Sequence, residues 1–209
     1  MKITSKEEIE LLVNYCKAIP CSEVREGGNF YKIKAQSFKF PDGSTQAREY
    51  LDKKKASIVV PITSEGNVVF VVQPIPLSEE GSLIEFPAGY WELNENGMEA
   101  GIRELSEETG YVAEQIIYLN NHYQDPGGIR QKVDAFLALG CKRLNEQNLD
   151  KGEFIKYIEV PYELALELMD EGYISDININ PQLIGDLSDK PCFSIIIITN
   201  LNVPNLMTY

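Results

Sequence analysis

The sequence predicts a mixed α/β (α+β) fold, and two kinds of pattern lead to this prediction. Short runs rich in Val and Ile, bounded by turn residues, are typical of β-strands. Longer segments that combine capping residues with apolar positions three or four apart are typical of helices. Both kinds of segment alternate along the 209 residues. That length accommodates one large domain with its own hydrophobic core, or one domain with a small appendage.

Helices are predicted where capping signals flank helical apolar spacing. The predicted helices cover residues 5–20, 97–109, 161–172 and a short segment at 181–187. Ser5 can cap the first helix, with Glu8 three residues later as its reciprocal capping-box partner. Gly110 stands where a left-handed residue ends the second helix. Pro161 is expected at the first position of the third helix, and Gly172 at its end.

Strands are predicted between these helices. They cover residues 31–40, 47–51, 56–62, 67–73, 83–86, 112–123, 133–139 and 154–160. Pro41-Asp42-Gly43 and Ser64-Glu65-Gly66 are turn signals between neighbouring strands. The apolar run 194–199 is compatible with a strand or with a buried helical turn, and periodicity does not choose between them.

The charge balance limits the classes of partner. The chain has 32 acidic and 19 basic residues, a formal net charge of −13. Proteins that bind nucleic acid polymers or anionic membranes need clustered Lys and Arg, so neither partner is expected. The acidic excess is compatible with a solvated surface, and part of it could hold a divalent cation.

The cysteines and the N-terminal residues point to the cytoplasm. The chain contains Cys16, Cys21, Cys141 and Cys192. They form no CxxC pair and His122 is the only histidine, so we expect reduced thiols rather than a zinc site or a disulfide framework. The first residues are rich in glutamate where a signal peptide is apolar, and no 18-residue apolar window is present.

The most informative feature is a cluster of carboxylates in the second predicted helix. Glu104, Glu107 and Glu108 stand at i, i+3 and i+4, so they share one helix face. Like charges at these spacings repel by roughly a few tenths of a kcal/mol per pair. A hard divalent cation would offset this repulsion, because Mg²⁺ prefers oxygen ligands. Taken alone, such a helix is more typical of a solvated acidic surface than of a metal site.

The flanking residues extend this cluster into a longer pattern. Its fixed positions are Gly89, Glu95, Arg103, Glu104, Leu105, Glu107, Glu108, Gly110 and Tyr111. The pattern resembles the Nudix box, which matches at every fixed position. The resemblance implies an α/β/α sandwich around a mixed β-sheet, in which the box forms a loop, a helix and a loop. Gly101 lies in the middle of this helix, where we expect close packing rather than chemistry.

The resemblance also implies roles for individual residues. Glu104, Glu107 and Glu108 would bind Mg²⁺ or Mn²⁺, with the carbonyl of Ala88 completing the shell. Arg103 and Glu95 would hold the box together. Arg103 would also orient the glutamates as part of the catalytic machinery.

Proton transfer from the attacking water requires a base. Glu153 is the candidate general base, because it lies in an acidic loop just before a predicted strand. Asp150 and Glu146 are alternatives in the same loop.

Further segments resemble the ADP-ribose and nucleotide-sugar pyrophosphatase branch of the Nudix family. Residues 85–89 read E-F-P-A-G, Pro126 follows Gly110 by sixteen residues, and residues 153–155 read E-F-I. The substrate contacts implied by this resemblance are Tyr90, Asp125, Pro126, Gly127, Arg130 and Gln131. Phe30, Tyr31 and Tyr90 could stack on adenine. For ADP-ribose, the products would be AMP and ribose 5-phosphate.

Two positions depart from that branch. Pro74 and Ile75 follow Gln73 where the branch often has Q-Y-R, so an arginine that meets the substrate is missing. Gln131 stands where the branch often has a carboxylate, and Arg130 precedes it. Arg130 could supply the missing positive charge.

These observations predict three regions. Residues 1–24 form an N-terminal helix, residues 25–55 a β-rich region, and residues 56–209 a Nudix hydrolase domain. The resemblance to the branch implies that the β-rich region serves homodimerisation and grips the adenosine end of the substrate. Two alternative functions remain: a Nudix pyrophosphatase for another nucleotide sugar or dinucleotide, and a binding module without catalysis.

Overall fold

The computed structural model describes residues 1–17 and 33–174. The helices are α1 (Lys6–Tyr15), α2 (Gly97–Thr109) and α3 (Tyr162–Asp170). The strands are β1 (Ile33–Lys39), β2 (Thr45–Asp52), β3 (Ala56–Thr63), β4 (Asn67–Pro74), β5 (Ser82–Glu85), β6 (Ala88–Tyr90), β7 (Tyr111–Val112), β8 (Gln115–Tyr123), β9 (Ile129–Arg130), β10 (Lys132–Arg143) and β11 (Lys156–Pro161). This combination confirms the predicted α+β class.

The main sheet is mixed. Strands β11, β4, β3, β10 and β7 follow one another across it, with β5 beside β4, β6 beside β3, and β8 beside β10. The β3–β10 pair is parallel and the other pairs are antiparallel. Strands β3 and β4 are apolar at nearly every position because both of their faces are covered.

Helices cover both faces of this sheet, as the predicted α/β/α sandwich requires. On one face, Ile58 and Phe70 pack in a buried cluster with Ile9 of α1 and Leu168 of α3. On the other face, Val59 packs with Leu105 of α2 and with Tyr111 and Phe136. The alternation of neighbouring residues between the two clusters follows the two-residue period of a strand.

A smaller sheet lies beside the main one. It contains the antiparallel hairpin β1–β2, and β9 pairs in parallel with the end of β2. Every residue of β1 is exposed, and so are most residues of β2. The hairpin therefore contributes little to the core of this chain.

Several predicted details are confirmed. Helix α2 has the predicted bounds, and Gly110 at its end adopts φ 77°. Gly101 packs closely on the sheet, since a Cβ atom there would lie 2.9 Å from Val59 Cγ2.

Other details differ at the ends of elements. Glu8 accepts a hydrogen bond from Thr4 N (2.8 Å) rather than acting as the reciprocal partner of Ser5. Pro161 is the N-cap of α3, with extended ψ 142°, rather than its first helical residue. Strand β11 begins at Lys156, two residues later than predicted, because a turn at Gly152 (φ 102°) leads into it.

The predicted strand 112–123 is divided into β7 and β8. The division lies opposite a register shift in β10 between Ala138 and Cys141. Gly140 adopts φ 64° at this bulge, and a Cβ atom there would lie 2.7 Å from Glu114 Oε2. The bulge of β10 at Gly140 thus accounts for the break.

Some predictions lie outside the described residues. They concern Pro20, Cys21, Phe30, Tyr31, Cys192 and the segments 181–187 and 194–199. Of the helices in residues 1–17 and 33–174, none has the length and apolar character needed to cross a membrane.

Candidate active site

The candidate site is built on the loop–helix–loop that joins β6 to β7. Asn96 caps α2: its Oδ1 accepts hydrogen bonds from Met98 N (3.0 Å) and Glu99 N (3.1 Å). The Glu99 carboxylate accepts a reciprocal bond from Asn96 N (2.9 Å), which completes a capping box. The cap fixes the start of the helix whose other end carries the glutamates.

Arg103 connects the two ends of the box. Its guanidinium donates to both carboxylate oxygens of Glu95, at 2.9 and 3.0 Å, and to the carbonyl of Tyr90 at 2.9 Å. The same group donates to Glu104 Oε1 (2.8 Å) and Glu107 Oε2 (2.9 Å). The bidentate bond from Arg103 lowers the pKa of Glu95. Arg103 therefore orients Glu104 and Glu107 toward one another.

Gly89 allows β6 to lie directly against the carboxylate cluster. A Cβ atom at Gly89 would overlap the carboxylate of Glu104. Any larger residue would displace Glu104 from its pair with Arg103. The glycine at the start of the box is thus explained by the approach of a side chain to the backbone.

Glu108 is the most buried carboxylate of the cluster, with 5% of its surface exposed. Its Oε2 accepts a hydrogen bond from Ala88 N at 3.1 Å. Burial raises the pKa of Glu108 well above its ordinary value, and the charges of Glu104 and Glu153 raise it further. Burial also raises the pKa of Glu104, against the lowering effect of Arg103. Both pKa shifts indicate that the cluster holds more negative charge than its surroundings stabilise.

The residues present fit a hard divalent cation chemically. Three carboxylates share one helix face, and Glu104 among them lies against Gly89. Burial raises the pKa of Glu104 and of Glu108, and a nearby cation would oppose that effect. Arg103 balances part of this charge. Within the residues that the structure describes, no group of three or more acidic, His or Cys side chains already has the geometry of a formed metal site.

The loop between β10 and β11 brings the candidate base near this cluster. Glu153 is exposed, and its charge contributes to the raised pKa values of Glu104 and Glu108. The Glu146 carboxylate instead binds Arg143 (2.7 Å). Asp150 joins the turn of Glu153, since Asp150 N donates to Glu153 Oε2 (2.8 Å).

Five of the six predicted substrate contacts line one of two cavities. The smaller cavity, of about 210 Å³, adjoins the cluster and includes Ala88, Gly89, Tyr90 and Gln131 among its lining residues. The larger cavity, of about 400 Å³, lies between the hairpin and the loop before β9, and is lined by Phe38, Arg48, Glu49, Tyr50, Tyr123, Pro126, Gly127, Ile129 and Arg130. The structure therefore does not bring all the predicted contacts into one pocket.

Arg130 and Gln131 face different surroundings. Arg130 makes a bidentate ion pair with Asp52 at 2.7 and 2.8 Å, and its guanidinium lies 4.8 Å from the centre of the Tyr50 ring. Gln131 is 4% exposed and donates to the carbonyl of Lys54 (3.0 Å). Gln131 Oε1 is buried and has no hydrogen-bond partner among the described residues.

Asp125 lies in neither cavity lining and serves the loop itself. Its side-chain Oδ1 accepts from Gly127 N at 3.2 Å, and its carbonyl accepts from Ile129 N at 2.7 Å. These bonds form the turn that presents Pro126 and Gly127 to the larger cavity.

Sequence reasoning missed residues that support the box from outside its pattern. Trp91 Nε1 donates to Ser57 Oγ (2.9 Å), and Ser57 Oγ donates to the carbonyl of Gly97 (2.7 Å). These two hydrogen bonds anchor the start of α2 to β3. The N-cap could have been found from the Asn96-x-x-Glu99 spacing, whereas the contact with Ser57 depends on the tertiary fold.

Comparison with known proteins identifies the family. The family model described as the NUDIX domain matches residues 52–182, more than half of the chain. The chain therefore belongs to the Nudix family, as its box indicates.

Curated relatives with at least 30% identity include three differently named proteins. The methanol dehydrogenase activator of Bacillus methanolicus is 35% identical over 151 residues, and the ADP-ribose pyrophosphatase of Bacillus subtilis (strain 168) is 33% identical over 151 residues. The GDP-mannose pyrophosphatase of Yersinia pestis (strain Pestoides F) is 30% identical over 161 residues. Each match covers 71% of this chain and 80% of the relative.

A solved structure supports the fold. The crystal structure described as an ADP compounds hydrolase matches with a TM-score of 0.57 at 19% sequence identity. The match covers 71% of this chain and 80% of that chain.

Proposed function

We propose that this Nudix hydrolase cleaves the diphosphate of a nucleoside diphosphate linked to another moiety, with ADP-ribose as the substrate and AMP and ribose 5-phosphate as the products. The observation that carries this proposal is the helix α2 of the box, where Arg103 binds Glu104 and Glu107 and where Glu104 lies against Gly89, a lining residue of the smaller cavity. The relatives that are an ADP-ribose pyrophosphatase and a GDP-mannose pyrophosphatase support the same class of substrate.

The three glutamates, with the carbonyl of Ala88, would hold Mg²⁺ or Mn²⁺. Such a cation, when bound, supplies Lewis-acid polarisation of the diphosphate and lowers the pKa of the attacking water. Arg103 holds Glu104 and Glu107 in place through its two bonds of 2.8 and 2.9 Å. The protein thus provides oxygen ligands whose orientation is set before the substrate arrives.

Glu153 would accept the proton of the water that attacks phosphorus, while the bridging oxygen leaves with the other phosphate. Its exposed carboxylate is close enough to influence Glu104 and Glu108. Glu146 is already paired with Arg143, which favours Glu153 over Glu146 as the base.

The two cavities would bind different parts of the substrate. Tyr90 and Gln131 line the smaller cavity, which adjoins Gly89 of the box. The larger cavity carries the aromatic rings of Phe38, Tyr50 and Tyr123, which suit a nucleobase. The Arg130 guanidinium at its edge suits a phosphate.

The exposed hairpin supports homodimerisation through the predicted β-rich region. A two-stranded hairpin is marginally stable alone, and β1 buries none of its residues within this chain. A second copy would cover it. Cys16 and Cys141 are free thiols, which fits a reducing compartment, and we place the protein in the cytoplasm.

The test is an assay of ADP-ribose, GDP-mannose and dinucleotides with Mg²⁺ or Mn²⁺, with products separated by chromatography. We expect AMP and ribose 5-phosphate from ADP-ribose, and loss of turnover with a chelator. Glu107→Gln should lower kcat by about 100-fold or more, since even residues behind the ligands cost 10–100-fold. The matched control is Glu163→Gln, an exposed glutamate of α3. Strong turnover of another diphosphate without ADP-ribose would reject the specific substrate, and binding without turnover of any diphosphate would reject catalysis.

A further inference from the structure

The loop between β10 and β11 is tied to the C-terminal end of α2. The last carbonyls of a helix have no partners within the helix, and α2 has no basic residue in its last turn to bind them. The loop supplies donors instead: Asn148 N donates to the carbonyl of Glu107 (2.9 Å), and Asn145 N to that of Gly110 (3.0 Å). The loop and the glutamate-bearing turn are therefore held together.

Gln147 makes a different kind of contact from its neighbours. Its Nε2 donates to the carbonyl of Glu108 at 2.6 Å and also to the carbonyl of Ile155 at 3.3 Å. One amide nitrogen carries two hydrogens, so it can serve both acceptors. Ile155 is buried and lies two residues after Glu153. Gln147 thus links the backbone of Glu108, the most buried glutamate of the cluster, to the segment that contains Glu153, the candidate base.

Two other hydrogen bonds of the loop join Glu153 to Asp150. Glu153 N donates to the carbonyl of Asp150 (3.1 Å), and the Glu153 carboxylate accepts from Asp150 N (2.8 Å). These two bonds close a small turn on itself. Backbone bonds of Asn145 and Asn148 attach the start of the loop to α2, and Gln147 adds the attachment at Ile155, next to this turn.

From this geometry we infer that Gln147 is a positioning residue, which holds Glu153 at a working distance from the carboxylates of α2. The inference rests on the proposed function, in which Glu153 is the base. Among the described residues, the side-chain amide of Gln147 donates to two backbone carbonyls, so we infer that it acts through Glu153 rather than on the substrate.

The first test replaces Gln147 with Met, which has a similar length but no donor. We expect kcat to fall about 10–100-fold, the range for residues that orient active-site groups, while KM changes less than threefold. Gln147→Lys, which restores donors at the same place, should recover most of kcat. The matched control is Gln115→Met, at an exposed position of β8, which should leave kcat unchanged. Unaltered kcat in Gln147→Met would overturn the inference.

The second test asks whether Gln147 acts through Glu153. In a Glu153→Gln background, adding Gln147→Met should lower kcat by less than threefold, because residues that act as a unit are not additive. Titration of Mn²⁺, followed by its electron paramagnetic resonance signal, should give Kd values for Gln147→Met and wild type within threefold. A full 10–100-fold further loss in the double variant, or a loss of Mn²⁺ affinity that matches the loss of kcat, would overturn the inference.

The result is separable from the proposed function. If the wild-type protein turns over no diphosphate in the panel, the proposed function fails. If it turns over a diphosphate but Glu153→Gln retains full kcat, the hydrolase assignment stands and the inference about Gln147 is overturned.

Discussion

At the scale of single residues, Glu108 has the most unusual environment of the site. It is nearly buried, it lies near two other carboxylates, and the one bond that stabilises its charge comes from Ala88 N. Burial of a charge without a nearby opposite charge is costly. A cation beside Glu108 would offset that cost. Metal binding should therefore stabilise the folded protein more through Glu108 than through the exposed glutamates beside it.

Glu108→Gln should therefore stabilise the metal-free protein at neutral pH while it abolishes the response to metal. Because the folded pKa lies above the ordinary value of 4.5, the folded state keeps its proton longer than the unfolded state. The associated stability is fully present below about pH 4.5 and is lost as the pH rises through the folded pKa. One unit of pKa corresponds to about 1.4 kcal/mol, and each kcal/mol shifts Tm by about 2–4 °C.

Thermal unfolding from pH 4 to 8, with a chelator and with Mn²⁺, measures this effect. The Tm of the metal-free wild type should fall with pH more steeply than that of Glu108→Gln, and Mn²⁺ should raise the Tm of the wild type but not that of Glu108→Gln. Glu163→Gln should behave as the wild type. Parallel pH profiles for wild type and Glu108→Gln would contradict the pKa assignment.

At the scale of elements, the box helix was predictable and its supports were not. The bounds of α2 follow from local signals, since Gly110 ends it. Of the two apolar residues expected to anchor the helix, Leu105 is buried, whereas Ile102 is 45% exposed. The contacts of Gln147 were not predictable, because a glutamine in a polar loop is chemically ordinary and its acceptors are set by the tertiary fold. The same holds for β6 and β9, whose two or three residues give too short a pattern to distinguish from a loop.

Helix α2 depends on its cap for part of its stability. Asn96→Ala removes the acceptor for Met98 N and Glu99 N, and should lower the free energy of unfolding by about 1 kcal/mol, within a range of about 0.5–2. Urea denaturation measures this change through the midpoint at constant m-value. Asn96→Asp keeps a capping oxygen and should retain most of the stability. An equal loss in both variants would show that Asn96 acts by something other than capping.

At the scale of the whole molecule, the main sheet and the small sheet differ in how far their faces are buried. The main sheet is covered by helices on both faces. In the hairpin, Phe38, Arg48 and Tyr50 line the larger cavity. Ile33, which pairs with Leu51, lies at the other end of the hairpin and does not line that cavity. That apolar end has no helix against it in the part of the chain that the structure describes, so it is the face that a second copy would cover.

Ile33→Glu should therefore weaken the proposed dimer. Ile33 is 66% exposed and lies away from the residues that line the larger cavity, so a carboxylate there is tolerated by the monomer but costly when buried between two copies. Light scattering during size-exclusion chromatography should give twice 23.6 kDa for the wild type and a shift toward one chain for Ile33→Glu. Leu77→Glu, at a loop residue that is 94% exposed, provides the matched change in charge and should stay dimeric. A wild type that remains monomeric at high concentration, or equal masses for the two variants, would reject the hairpin as the dimer interface.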